Sequence, residues 1–345
     1  MNSSFEAVLS RAARAVVLAV SLSGIVQAQS FKYDSFVPAF ARQTTPGFIN
    51  DRGDVVGFYF DTQFVQHGFY RSAGGVIFPV DPAGSAGTVA TGVDAQGNIC
   101  GYYKDKASSY HSFVRRSGGT YVSFDAASGS TLTVALGTDS VGNIVGLFFD
   151  SEGVEHGLLR ASTGTITAFQ MPDSLGTVAV AISDSGQIAG EYTDTKEVEH
   201  GYVRGPNGQF RAFDPPGSTE TVPTAINLSG QIVGSYLDAS QVQHGFLREF
   251  DGSIVSIDPP GSIMTLVLSI SRDGVAVGYY QSSGTFQQHG FLRTADGTIV
   301  SFDPVGSTET NVVGINGVHQ VIGSENSHDG TFRGFLAQYL QTNPR

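Results

Sequence analysis

The histidines of this chain stand at almost equal intervals. His67, His111, His156, His200, His244 and His289 are separated by 44, 45, 44, 44 and 45 residues, and Arg333 follows 44 residues later in the same local setting. The surrounding phrase is His-Gly-Phe-Leu-Arg in its cleanest copies, His244 to Arg248 and His289 to Arg293. A fixed period of this length predicts a repeat fold, in which no unit can bury its apolar face alone and each packs on its neighbours.

The fifth copy shows what one period contains. Thr221 to Asn227, Gly230 to Tyr236, His244 to Arg248 and Gly252 to Asp258 are runs of strand length, rich in β-branched or aromatic residues and bounded by turn formers. Short turns of the form Asn-x-x-Gly or Asp-x-x-Gly join the first two runs, as at Asn50 to Gly53, Asp94 to Gly97, Asp139 to Gly142 and Asn227 to Gly230. Turns ending in Gly, such as Asp251-Gly252 and Asp296-Gly297, join the last two, because Gly takes the positive φ a tight hairpin needs. Asp-Pro-Pro-Gly-Ser (Asp214 to Ser218, Asp258 to Ser262) follows the fourth run. Proline donates no ladder hydrogen bond, so this stretch reads as the link to the next unit.

Four strands per period of about 44 residues is the pattern of a propeller blade. The last Gly of the second run recurs at Gly57, Gly101, Gly146, Gly190, Gly234, Gly278 and Gly323, which counts seven units. The chain starts with a lone fourth strand, Tyr33 to Pro38, and ends with a third strand, Arg333 to Gln338, that lacks a fourth. Pairing the two would remove an open sheet edge. The expected fold is therefore all-β: a single domain over residues 29–345, a seven-bladed β-propeller of four-stranded antiparallel blades, closed by its N- and C-terminal strands.

Charge and cysteine content narrow the partners. The formal net charge of -12 repels phosphate backbones and anionic lipid, so neither nucleic acid nor a membrane surface is expected as a partner. Residues 1–28 read as an export signal: Arg11 and Arg14 precede an apolar run from Ala15 to Val26, and Val26-Gln27-Ala28 offers small residues for cleavage. That run is too short to read as a membrane span. A secreted or periplasmic protein is expected, with no membrane insertion once the signal is removed, and a monomer. One cysteine, Cys100, cannot form an internal disulfide and reads as a small core residue.

The repeated histidines are the first candidates for chemistry. One per unit at an equivalent position, they would be spread around a ring rather than converge on one metal ion, so no metal site is expected from them. Hairpin register sets each opposite the Asp that ends the fourth strand, as in His200 with Asp214, His244 with Asp258 and His289 with Asp303. A structural clip is the expected role of His67, His111, His156, His200, His244 and His289. A Thr begins the inner strand in every unit, from Thr44 to Thr310, and reads as a hydroxyl bonding nearby backbone rather than as a channel lining.

Asp61, Asp105, Asp150, Asp194 and Asp238 each follow the second-strand Gly by four residues. With Tyr59, Tyr103, Tyr192, Tyr236 and Tyr280 close by, they mark an acidic, loop-rich face and are the expected binding residues. Carboxylates suit calcium, but no loop has the Asp-x-Asp-x-Asp spacing of a dedicated calcium site, and no cofactor is expected. An alternative places a hydrolase or lyase site at the mouth of the central channel, built from departures from the repeat: Glu325, His328 and His319. No nucleophile elbow, phosphate-binding loop or zinc motif is present to support it.

The succession His-Gly-Phe-Leu-Arg, Asp-Gly-x-Ile, Asp-Pro-x-Gly and Gly-x-Ile-Val-Gly resembles the HAF family of extracellular repeats, named for a His-Ala-Phe phrase that is mostly His-Gly-Phe here, as at His67 to Phe69. The resemblance spans Phe31 to Leu340. It implies export and a repeat fold and carries over no catalytic residue. The expected function is that of a non-catalytic exported module binding a protein or a glycan at the acidic loop face.

Overall fold

A computed structural model describes residues 31–328 and 330–339; the segment read as an export signal lies outside the described residues. The described residues form strands throughout, with no helix. Unit 5 shows the pattern. Ser218–Ile226, Ile232–Asp238, Gln243–Arg248 and Ile254–Ile257 pair in sequence order, all antiparallel. The first strands of the other units begin at Ala41, Ser85, Leu132, Gly176, Ser262 and Ser307. The fourth place in the last unit is held by Phe31–Phe36, antiparallel to Phe332–Tyr339, with Phe36 opposite Gly334. Phe213 opposite Gly201 and Phe302 opposite Gly290 have the same register.

The first strands of successive units touch one another, and that of unit 7 touches that of unit 1. Each first strand carries a bulge beside the second-strand glycine, for instance between Pro223 and Ala225 opposite Gly234. The bulge drives a carbonyl toward that glycine. A Cβ on Gly57, Gly101, Gly146, Gly190, Gly234, Gly278 or Gly323 would lie 1.9 to 2.3 Å from a first-strand main-chain oxygen, closer than any real contact. The glycine used to count the units is therefore fixed by close backbone approach.

Packing between neighbouring sheets supplies the core and explains the repeated phrase letter by letter. The residue at the Phe position of the phrase, Phe69, Phe113, Leu158, Tyr202, Phe246, Phe291 or Phe335, is fully buried in each unit. The terminal Arg lies over an aromatic ring of the preceding unit's fourth strand: Arg115 over Phe78 at 4.8 Å, Arg160 over Phe124 at 4.9 Å, Arg204 over Phe169 at 4.6 Å and Arg248 over Phe213 at 5.0 Å. Such contacts join cation–π attraction to burial of the Arg stem. Arg71 makes the same contact with Phe36, at 5.1 Å, and an ion pair with Asp34. The strand before unit 1 thus meets unit 1 as the fourth strands of units 1 to 4 meet their successors.

Cys100 is buried in a small apolar cluster with Val114, Ala135 and Ile144, and burial pushes its thiol up to about 12.

Candidate functional site

The loops between second and third strands and the links between units emerge on one face, since second and fourth strands run the same way. Each repeated histidine stands at the start of a third strand on this face. His67, His111, His200, His244 and His289 place Nδ1 at 2.9, 2.8, 2.7, 3.0 and 2.7 Å from Asp81, Asp125, Asp214, Asp258 and Asp303. His156 has no such partner because Gln170 replaces the aspartate; its Nε2 meets Asp150 at 3.0 Å instead.

The loop aspartates approach from the other side. Nε2 of His67, His111, His200 and His244 lies 3.4, 3.6, 3.5 and 3.5 Å from Asp61, Asp105, Asp194 and Asp238. The second oxygen of each aspartate accepts main-chain N–H groups of its own loop: Asp61 from Gln63 and Val65, Asp238 from Ser240 and Val242. An aspartate at a loop start commonly caps the turn in this way. These donors hold Asp61, Asp105, Asp194 and Asp238 below the usual carboxylate range, with the histidines adding to the effect. For Asp150 the bond from His156 comes first.

A ring from the second strand completes each cluster. Tyr59, Phe148, Tyr192 and Tyr236 stack on their histidines at 5.1 to 5.2 Å between centroids; Tyr103 and Tyr280 tilt on theirs at 5.4 Å. The five loop aspartates are thus brought together with the histidines, one pair per unit, rather than with one another. The aspartate side of this contact was not legible in the spacing, because it depends on how far each loop curls back.

The departures from the repeat are dispersed. Glu325 is buried on the second strand of unit 7, where other units carry Tyr or Phe, and its Oε1 accepts from Ser35 Oγ at 2.7 Å. His319 lies in the turn before that strand, 2.9 Å from Asp273 Oδ2, and His328 is exposed in the loop after it. The intervening strand, Gln320–Ser327, puts them on opposite faces. The ring of threonines, Thr44, Thr88, Thr133, Thr177, Thr221, Thr265 and Thr310, is fully buried. Thr133 accepts from Ala126 N, Thr177 accepts from Met171 N, and Thr221 donates to Asp214 Oδ1. Among the described residues no group of three His, Cys, Asp or Glu side chains is arranged to hold a metal ion.

On the loop face, where unit 3 meets unit 4, a different carboxyl stands out. Glu155, just before His156, lies beside Gly176, the first residue of the next unit's first strand; a Cβ there would come 2.9 Å from its Oε2. Burial, reinforced by the charge of Glu199, pushes Glu155 up to about 7. A carboxyl poised near neutrality both donates and accepts hydrogen bonds. Sequence reasoning missed it; a Glu before His in two adjacent units was the only available signal.

No protein-family model matches the chain, and no curated protein is similar to it in sequence. Solved structures are similar in shape at low identity. A lectin, BP39L from Burkholderia pseudomallei, has a TM-score of 0.55 at 12% identity, covering 86% of this chain and 95% of its own. YCF48 bound to D1 peptide has 0.52 at 12% identity, covering 92% and 98%. A puromycin hydrolase mutant has 0.56 at 12% identity, covering 85% of this chain and 52% of its own, so the chain spans about half of that protein. No helix among the described residues is long and apolar enough to cross a membrane. At such identities likeness speaks to fold alone: the chain is an all-β protein with the β-propeller fold.

Proposed function

We propose that this chain is an exported, seven-bladed propeller of the HAF repeat type, its ring closed by the first and last strands, that binds a glycan or protein ligand at the loop face. The clips of histidine and aspartate, one in each of units 1 to 6, serve the fold. The ligand contact is instead the junction of units 3 and 4 on that face, where the third strand of unit 3 meets the start of the first strand of unit 4. The observation that carries this reading is the placement of the Glu155 carboxyl over Gly176, where one unit meets the next; burial and the charge of Glu199 raise its pKa. Such a pair suits a ligand that presents hydroxyl or amine donors, as sugars and lysine-bearing peptides do.

Glycan and peptide arrays probed with the full chain and with Glu155→Gln/Glu199→Gln test it. Retention of a sugar or peptide by the wild type, reduced about 10-fold or more in the double variant, supports the reading. Equal retention by both, or none by the wild type, sinks it.

A further inference from the structure

The loop face is uneven in one respect that neither the clips nor the Glu155 and Glu199 carboxyls explain. Each loop between second and third strands has a residue in the left-handed region. In units 2 to 5 it is Ser108, Gly153, Glu197 and Gln241, but in units 1 and 6 it is Phe64, with φ 61°, and Phe286, with φ 58°. The links show the same pattern: Gly84, Gly129, Gly217, Gly261 and Gly306 take positive φ, and so does Phe40, at 65°, in the link into unit 1. Left-handed backbone is disfavoured for a side chain with a Cβ and most at home with Gly. All three rings are nevertheless set in solvent, 83% exposed for Phe40, 69% for Phe64 and 62% for Phe286. Val305, 92% exposed, occupies the link into unit 7 between them.

Of the large apolar side chains exposed on this face among the described residues, only Leu175 lies outside the arc of units 6, 7 and 1; Val37, Val65 and Ile263 lie inside it. Within that arc Ser282 and Ser327 replace the loop aspartate of units 6 and 7 and Arg333 replaces the histidine of unit 7, while His67 and His289 keep their bonds to Asp81 and Asp303. Arg42 lies over the Phe64 ring at 4.7 Å, but no ring contact within the chain covers Phe40 or Phe286 among the described residues.

We infer that the apolar arc is a self-association surface: two copies of the chain meet through it, face to face, about a two-fold axis. Taking roughly 200 Å² for a phenylalanine side chain, the exposed apolar groups of the arc present on the order of 700 Å² per copy. Hiding them on both copies removes about 1,400 Å², within the range of specific interfaces. Because the same arc serves both copies about a two-fold axis, the contact closes on itself; exposed apolar side chains such as Leu228 and Phe250 lie on the opposite face. The chain is acidic, yet carboxylates flanking the arc are engaged internally, Asp61 and Asp81 with His67 and Asp303 with His289. The inference does not depend on the ligand reading, which uses the junction of units 3 and 4 rather than this arc.

Sedimentation velocity of the full chain over a concentration series tests it, beside the variant Phe40→Gly/Phe64→Gln/Phe286→Ser. Those substitutions install residues that other units carry at the same backbone positions, so folding is kept, which a thermal melt verifies. The wild type is expected at twice the mass of one chain and the folded variant at that of one chain. A wild type that stays monomeric throughout overturns the inference, as does a variant that remains dimeric. Loss of array binding in the Glu155→Gln/Glu199→Gln variant, with the dimer intact, separates the two readings.

Discussion

Asn316 Nδ2 donates to the main-chain oxygen of Asn50 at 2.9 Å, across 266 residues of sequence. Asn50 gives the same bond to Asp94 at 3.1 Å, and Asn227 gives it to Ser271 at 3.0 Å, each 44 residues ahead. The turn between first and second strands is thereby tied to the next such turn, and the tie from unit 7 lands on unit 1. A neighbouring bond follows suit: Gly317 N donates to Asp51 Oδ1 at 2.7 Å, as Ser140 N does to Asp184 Oδ1 at 2.8 Å.

If the proposed ring is closed, Asn316→Ala and Asn227→Ala cost the same. Each removes buried donors and the side-chain oxygen that caps its own turn, a loss of about 1–3 kcal/mol. Chemical denaturation of the two variants should agree within about 0.5 kcal/mol. A clearly smaller loss for Asn316→Ala than for Asn227→Ala, reflecting the turn cap alone, would mean that the ends are not joined in solution.

Gly234→Ala forces a methyl to 2.2 Å from the carbonyl oxygen of Val222. Backbone must move, so a loss of more than ~3 kcal/mol is expected. Gly118→Ala is the control, with no atom within 4 Å of the new methyl, and should change stability by less than about 0.5 kcal/mol. Equal melting temperatures for the two variants would contradict the close approach at the bulge.

The buried threonines separate into two kinds. Thr221 donates to Asp214 Oδ1 at 2.7 Å, whereas the hydroxyl oxygen of Thr44 is buried without a partner. Thr221→Val should therefore cost about 1–3 kcal/mol, while Thr44→Val should be neutral or stabilising, because it deletes an unsatisfied polar atom. Calorimetry on both decides, and a reversed order would refute the assignment of partners.

Acid should act through the loop aspartates. Asp61, Asp105, Asp150, Asp194 and Asp238 all have folded pKa values below the ordinary one. Their stabilisation is in place above the unfolded value of about 3.9 and is lost as pH falls through the folded values. The melting temperature should drop steeply below about pH 4. Replacing all five by Asn should lower it at neutral pH and flatten its acid limb. Parallel pH curves for the two proteins would show that these carboxylates do not titrate with folding.

Much of the strand plan was legible in the chain because strands and turns are local. Gly57 and its six equivalents, Asp251-Gly252 and the Asp-Pro-Pro-Gly links mark boundaries through backbone demands that a few adjacent residues express. The pairing of His200, His244 and His289 with Asp214, Asp258 and Asp303 was legible for a related reason: hairpin register brings residues 14 apart to the same level.

What tertiary structure alone decided involves contacts between units or the curl of loops. That the loop aspartates turn back on the histidines, that Arg71 meets Phe36, and that Glu155 lies over Gly176 all depend on how one sheet twists against the next. The exposure of Phe40, Phe64 and Phe286 belongs here too, since an apolar residue in a sequence reads as core until its backbone is seen to lift it into solvent. Periodicity dictates what repeats; the places where this molecule differs from its own repeat acquire meaning only when the units are set side by side.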